Sequence, residues 1–126
     1  MRKSLLITFI LLVIIAFSSF ILAANPAENY YNEGMNYYKK GDLNSAISSF
    51  NKAIELNKDY ARAYSFRGLA YSRQDQFDKA IKDFSTVIKL DPDNSMAYYN
   101  RGLAYEKSGN NAAAQKDYAM AEKLKK

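Results

Sequence analysis

The chain's 126 residues suffice for one domain and a short leader. It has no cysteine and no histidine, which excludes disulfides, thiolate metal sites, a cysteine-anchored lipid, cysteine nucleophiles and the commonest general base. A formal charge of +5, two of it from Arg2 and Lys3, is too mild for the concentrated basic stripe that nucleic-acid binding needs.

Residues 1–24 differ from the rest. Arg2 and Lys3 precede an apolar run from Leu5 to Leu22, interrupted only by Thr8, Ser18 and Ser19, and Ala23 and Ala24 follow. A charged start, an apolar stretch and small residues make an export signal. Two roles fit: a signal peptide cleaved near Ala24 or near Ser18, or a retained membrane anchor. As a helix, residues 5–24 would span about 30 Å, the thickness of the hydrocarbon core. A cut after Ala24 would put Leu22 where a small residue is preferred, so length and cleavage chemistry both lean towards the anchor. Arg2 and Lys3 would stay cytoplasmic and the remainder would cross. The expected location is therefore secreted or periplasmic, or membrane-anchored with the domain on the extracytoplasmic side.

After a short linker, Asn25-Pro26, a period of 34 residues begins. Gly34, Gly68 and Gly102 keep it. So do Tyr30, Tyr64 and Tyr98, Tyr37, Tyr71 and Tyr105, and Ala46, Ala80 and Ala114. Phe50, Phe84 and Tyr118 follow the same register, as do Ala53, Val87 and Ala121, and Leu56, Leu90 and Leu124. Spacings of three and four within each copy place these residues on one face of each of two helices. Gly41-Asp42, Asp75-Gln76 and Gly109-Asn110 read as a helix stop followed by a cap. The pattern predicts helices near 27–40, 43–56, 61–74, 77–90, 95–108 and 111–124. The units are 27–60, 61–94 and 95–126.

The copies resemble tetratricopeptide repeats, whose pattern runs aromatic, Gly, Tyr, Ala, aromatic, Ala and often Pro. Departures are Lys58 where the proline is usual, and Glu33, Arg67 and Arg101 where a leucine is common. The resemblance implies an all-α solenoid of three helix-turn-helix repeats, six helices in all, behind the N-terminal hydrophobic helix. Polar residues replace apolar ones at both ends: Gln115 stands in the column of Ile47 and Ile81, Glu122 in that of Ile54 and Ile88, and Asn29 in that of Ala63 and Ala97. Three repeats are thus expected to complete the array, with Leu124 to Lys126 fraying.

The resemblance also implies a concave face formed by the first helix of each pair, holding an extended peptide or a partner helix. Its lining would be Tyr31, Met35, Tyr38 and Lys39, then Arg62, Ser65, Phe66, Leu69 and Arg73, then Met96, Tyr99, Asn100, Leu103 and Lys107. The seven tyrosines in the repeated columns are expected in the core. One subclass clamps a terminal carboxylate; the positions for that clamp are Tyr31, Met35, Phe66, Met96 and Asn100, and they do not carry its set of Lys, Asn and Arg. Basic residues on this face suggest a partner with an acidic segment. No phosphate loop, metal spacing or nucleophile motif appears, and Asp59, Asp75, Asp91 and Asp93 fall in turns. The expectation is a non-enzymatic scaffold without cofactor or metal, with a protein or peptide partner, no nucleic acid, and membrane contact through residues 5–24 if the leader stays. A homodimer, a homo-oligomeric assembly and a periplasmic chaperone-like factor remain alternatives.

Overall fold

The computed structural model describes residues 2–23 and 25–125, with side chains described for 2–18 and 25–125. Among these the secondary structure is helical throughout: α1 (Arg2–Ala23), α2 (Pro26–Lys40), α3 (Leu43–Leu56), α4 (Ala61–Arg73), α5 (Phe77–Leu90), α6 (Ser95–Lys107) and α7 (Asn111–Leu124). The last six begin and end within one residue of the spans the period predicts. The cleavage point at Ala24 and the fraying of Lys126 lie outside the described residues.

The turns inside the pairs share one construction. Gly41, Asp75 and Gly109 all take positive φ, at 82°, 58° and 89°. The next residue then donates its N–H back to the carbonyl of the column tyrosine: Asp42 to Tyr37 at 3.0 Å, Gln76 to Tyr71 at 2.9 Å and Asn110 to Tyr105 at 2.8 Å. This left-handed stop satisfies carbonyls that a helix end leaves open. Asp42 and Asn110 then cap the next helix, accepting from Ser45 N and Ala113 N. Gln76 does not: its longer side chain bonds Gln74 instead, and α5 starts without a side-chain cap.

Each pair closes on a glycine. A Cβ at Gly34 would lie 2.6 Å from Phe50 Cε1, and at Gly68 2.8 Å from Phe84 Cε1, so the helices approach until the ring rests on backbone. Phe50 and Phe84 are fully buried, with Ala46, Ala53, Ala80 and Val87 beside them. Truncating such a ring to alanine costs about 3–5 kcal/mol. Leu56 is an exception to the columnar reading, at 55% exposed. Two successive steps of three residues rotate a helix position by about 120°, which carries Leu56 off the buried stripe.

Packing is sequential. Helices touch within pairs (α2–α3, α4–α5, α6–α7), between pairs (α3–α4, α5–α6), and along the row of first helices (α2–α4, α4–α6). A polar ladder ties the pairs together. Arg67 bonds Asp83 through Nε at 2.8 Å and Nη2 at 2.7 Å, and its Nη1 reaches back to Asn51 Oδ1 of the preceding pair at 2.8 Å. Arg101 repeats this with Asp117, both bonds at 2.7 Å, and with Ser85 Oγ at 3.1 Å. Tyr64 and Tyr71 flank the first guanidinium, and Tyr98 and Tyr105 the second. In the first pair Glu33 replaces the arginine and accepts from Ser49 Oγ at 3.0 Å. In the last pair Ala119 stands in the column of Asn51 and Ser85.

Among the described residues α1 touches no other helix. Its described apolar side chains are all exposed, from 47% at Ile10 to 69% at Leu5. Among the described residues no helix is long and apolar enough to cross a membrane. The expected 5–24 span lies partly outside the residues whose side chains are described.

Candidate functional site

The row α2, α4 and α6 forms a trough because these helices touch each other while their partners α3, α5 and α7 pack behind. Near the C-terminal ends of the three helices it deepens into a pocket of about 320 Å³, bounded by Tyr38, Leu69, Ser72, Arg73, Asp75, Phe77, Leu103, Ala104 and Lys107. Tyr38, Leu69, Arg73, Leu103 and Lys107 thus come together as anticipated. Leu69, Leu103 and Phe77 are half-buried and supply apolar surface, while Arg73 and Lys107 are exposed. Phe77 and Ser72 were not anticipated. Phe77 opens α5, and its column (Leu43, Phe77, Asn111) varies too much in chemistry to mark a site.

Other expected residues lie elsewhere. Tyr31 is 4% exposed and belongs to the core, not to the trough surface. Its ring packs against Phe50, Tyr60 and Phe66, with centroids at 6.0, 5.2 and 6.0 Å. The guanidinium of Arg62 covers it at 4.5 Å. Glu28 lies 3.9 Å from the Arg62 guanidinium, and the polar contact with Tyr31 raises the Arg62 pKa. Met35 and Phe66 are half-buried against the same cluster. Tyr99, in Tyr31's column, is 44% exposed. It stacks on Tyr118 at 5.6 Å, and no further pair among the described residues covers it. Ser65 and Asn100 are half-buried, and Met96 and Lys39 are exposed. The column tyrosines Tyr30, Tyr37, Tyr64, Tyr71, Tyr98, Tyr105 and Tyr118 are half-buried, not core-buried as expected.

Charge on the trough is mixed: Arg73 and Lys107 border the pocket, and so does exposed Asp75. Glu28 and Glu106 are engaged by tyrosines: Tyr60 donates to Glu28, and Tyr118 donates to Glu106 at 2.7 Å. Burial, then the bond to Glu106, pushes the Tyr118 phenol up to about 12. Burial and Glu28 raise Tyr60 as well. A larger cleft of about 500 Å³ opens beside α3 and α5, but the Arg67–Asp83 pair that holds the stack lines it. Among the described residues no group of His, Cys, Asp and Glu could hold a metal ion.

The family described as TPR repeat matches residues 34–75 and again 68–109, and the one described as tetratricopeptide repeat matches 97–126. An uncharacterised protein of Methanocaldococcus jannaschii is 50% identical over 38 residues, covering 30% of this chain and 44% of its own length. The crystal structure of MamA aligns with a TM-score of 0.78 at 34% identity, over 83% of this chain and 61% of MamA. The chain therefore spans less than two thirds of either relative. The second TPR of Spaghetti (RPAP3), bound to the HSP90 peptide SRMEEVD, aligns with a TM-score of 0.77 at 26% identity, over 79% of this chain and 93% of that one.

Proposed function

Since the chain belongs to the tetratricopeptide repeat family, we propose that it is a non-enzymatic scaffold that holds an extended segment of a partner protein along the α2–α4–α6 trough. The observation that carries this is the pocket spanning all three first helices, with half-buried Leu69, Leu103 and Phe77 among exposed Arg73, Lys107 and Asp75. Concave sites of this size are the usual place for a ligand group. The Spaghetti domain, which is similar in fold, is bound to a peptide. A photocrosslinker placed at Leu103 in living cells should capture a partner, and one placed at Lys116 on the opposite side should not. Equal capture at both positions would remove the trough from the account.

We further propose that residues 1–24 direct export, so that the repeats lie on the extracytoplasmic side, either released or tethered. In support, α1 carries no acid and exposes its described apolar side chains, and among the described residues it contacts no repeat. Intact mass of the mature protein, with alkaline extraction of membranes, separates the two forms. A full-length product found in the cytosol would end both.

A second reading, self-association, has its own support at the last repeat. There Met96 (62% exposed) and Tyr99 line one exposed hollow. Sedimentation at increasing concentration, repeated with Met96→Glu, measures it; a monomer throughout removes it.

A further inference from the structure

We propose, resting on the trough reading above, that the preferred occupant is an internal acidic segment in extended form. It would carry carboxylates three residues apart and one bulky apolar side chain seated between Arg73 and Lys107. Lys39, Arg73 and Lys107 occupy one column, 34 residues apart, in the last turns of α2, α4 and α6. All three are exposed, and among the described residues none forms an ion pair with a carboxylate. Arg73 is steered towards the pocket: its Nη1 donates to the Tyr38 carbonyl at 3.4 Å, and its guanidinium lies 4.9 Å from the Tyr38 ring. Each cation also faces the negative end of its helix dipole. That exposed interaction is worth under about 1 kcal/mol, too weak to keep a carboxylate away.

Spacing sets the register. The first helices touch, so their axes lie roughly 8–10 Å apart. A chain in the extended polyproline II form advances about 3.1 Å per residue with about three residues per turn, so every third side chain shares one face, hence three residues per cation. The pocket of about 320 Å³ lies between the second and third cations, and Asp75 shares its rim, so the side chain that fills it is an uncharged one. It is at the small end of ligand pockets and suits a single large side chain. The N-terminal ends of the same helices, where Met96 and the buried Tyr31 stand, offer no comparable row of cations.

The experiment uses the full chain in detergent micelles and short fluorescent peptides, acetylated and amidated so that no terminal charge remains. One peptide has Glu at every third position and Leu between the second and third Glu. The second has the same composition with the acids adjacent. The third keeps Leu and replaces every Glu by Gln. The first should bind at least about five-fold tighter than the other two. Arg73→Glu with Lys107→Glu should weaken it roughly ten-fold or more, and Lys107→Glu alone by a smaller factor in the same direction. Lys82→Glu with Lys116→Glu, on the opposite side, should leave it within two-fold. Equal loss in that control would mean unspecific attraction to a basic protein and overturn the proposal. Equal binding of the Gln peptide, still competed by the first, would overturn it while leaving the trough as a peptide site. Binding of none of the three, with no peptide recovered from an unbiased library, would remove the trough reading as well.

Discussion

Arg67 and Arg101 stand where leucine is common in this family, and each satisfies a buried aspartate that would otherwise be alone. Removing one partner of a buried pair leaves an uncompensated charge, which costs more than the pair contributes when intact. Arg67→Leu should therefore destabilise by about 3 kcal/mol, and Arg67→Leu with Asp83→Leu should recover much of the loss. Urea denaturation followed at 222 nm measures both, and a double variant as unstable as the single would contradict the account. Tyr118 yields a pH expectation. Its phenol titrates near 12 when folded, against roughly 10 when unfolded. The bond to Glu106 thus contributes fully below about pH 10 and is lost as pH rises towards 12. Absorbance at 295 nm should show tyrosines ionising late while helicity persists, and Tyr118→Phe should remove one of them. Ionisation of every tyrosine together near pH 10 would refute this. The sequence displays the Arg and Asp columns, sixteen residues apart, yet not their pairing, because that rests on how deeply two helices interlock. Tyr31 and Tyr99 show the same limit: they share a column, but Tyr60 and Phe66 cover only the first.

At the scale of the helix pair, the glycines decide how closely two axes approach. Alanine would add helix propensity of about 1 kcal/mol, but at Gly68 its Cβ would enter a ring with no room to move. Overpacking of this kind costs about 1–3 kcal/mol and prevails. Gly68→Ala should therefore lower the melting temperature. Gly102→Ala should lower it less, because the half-buried Tyr118 can swing outward. A reversed order would show that ring mobility is not the controlling factor. Helix ends were almost wholly legible in the sequence, since stops and caps are local chemistry. The exceptions were also local: Gln76 is too long to cap α5, and Leu56 drifts off its stripe.

For the whole molecule, contact only between neighbours means that stability is shared along one dimension. Among the described residues α7 rests on α6 alone, whereas α4 touches α2, α3, α5 and α6. Amide hydrogens of α7 should exchange well before those of α4, and uniform exchange would mean that the stack opens as a unit. The array as a whole could be read from its period, and half of the trough from the family resemblance. What could not be read was which first-helix residues the next pair hides. The backward reach of each guanidinium also governs how such a gene could lengthen. A duplicated middle unit would bring both a new arginine and a new serine acceptor, so every link would close again. A unit joined after Ala119 would meet a methyl group where the acceptor should be. Growth by duplication is therefore tolerated in the interior and penalised at the end, and longer descendants should carry nearly identical central copies between divergent outer ones.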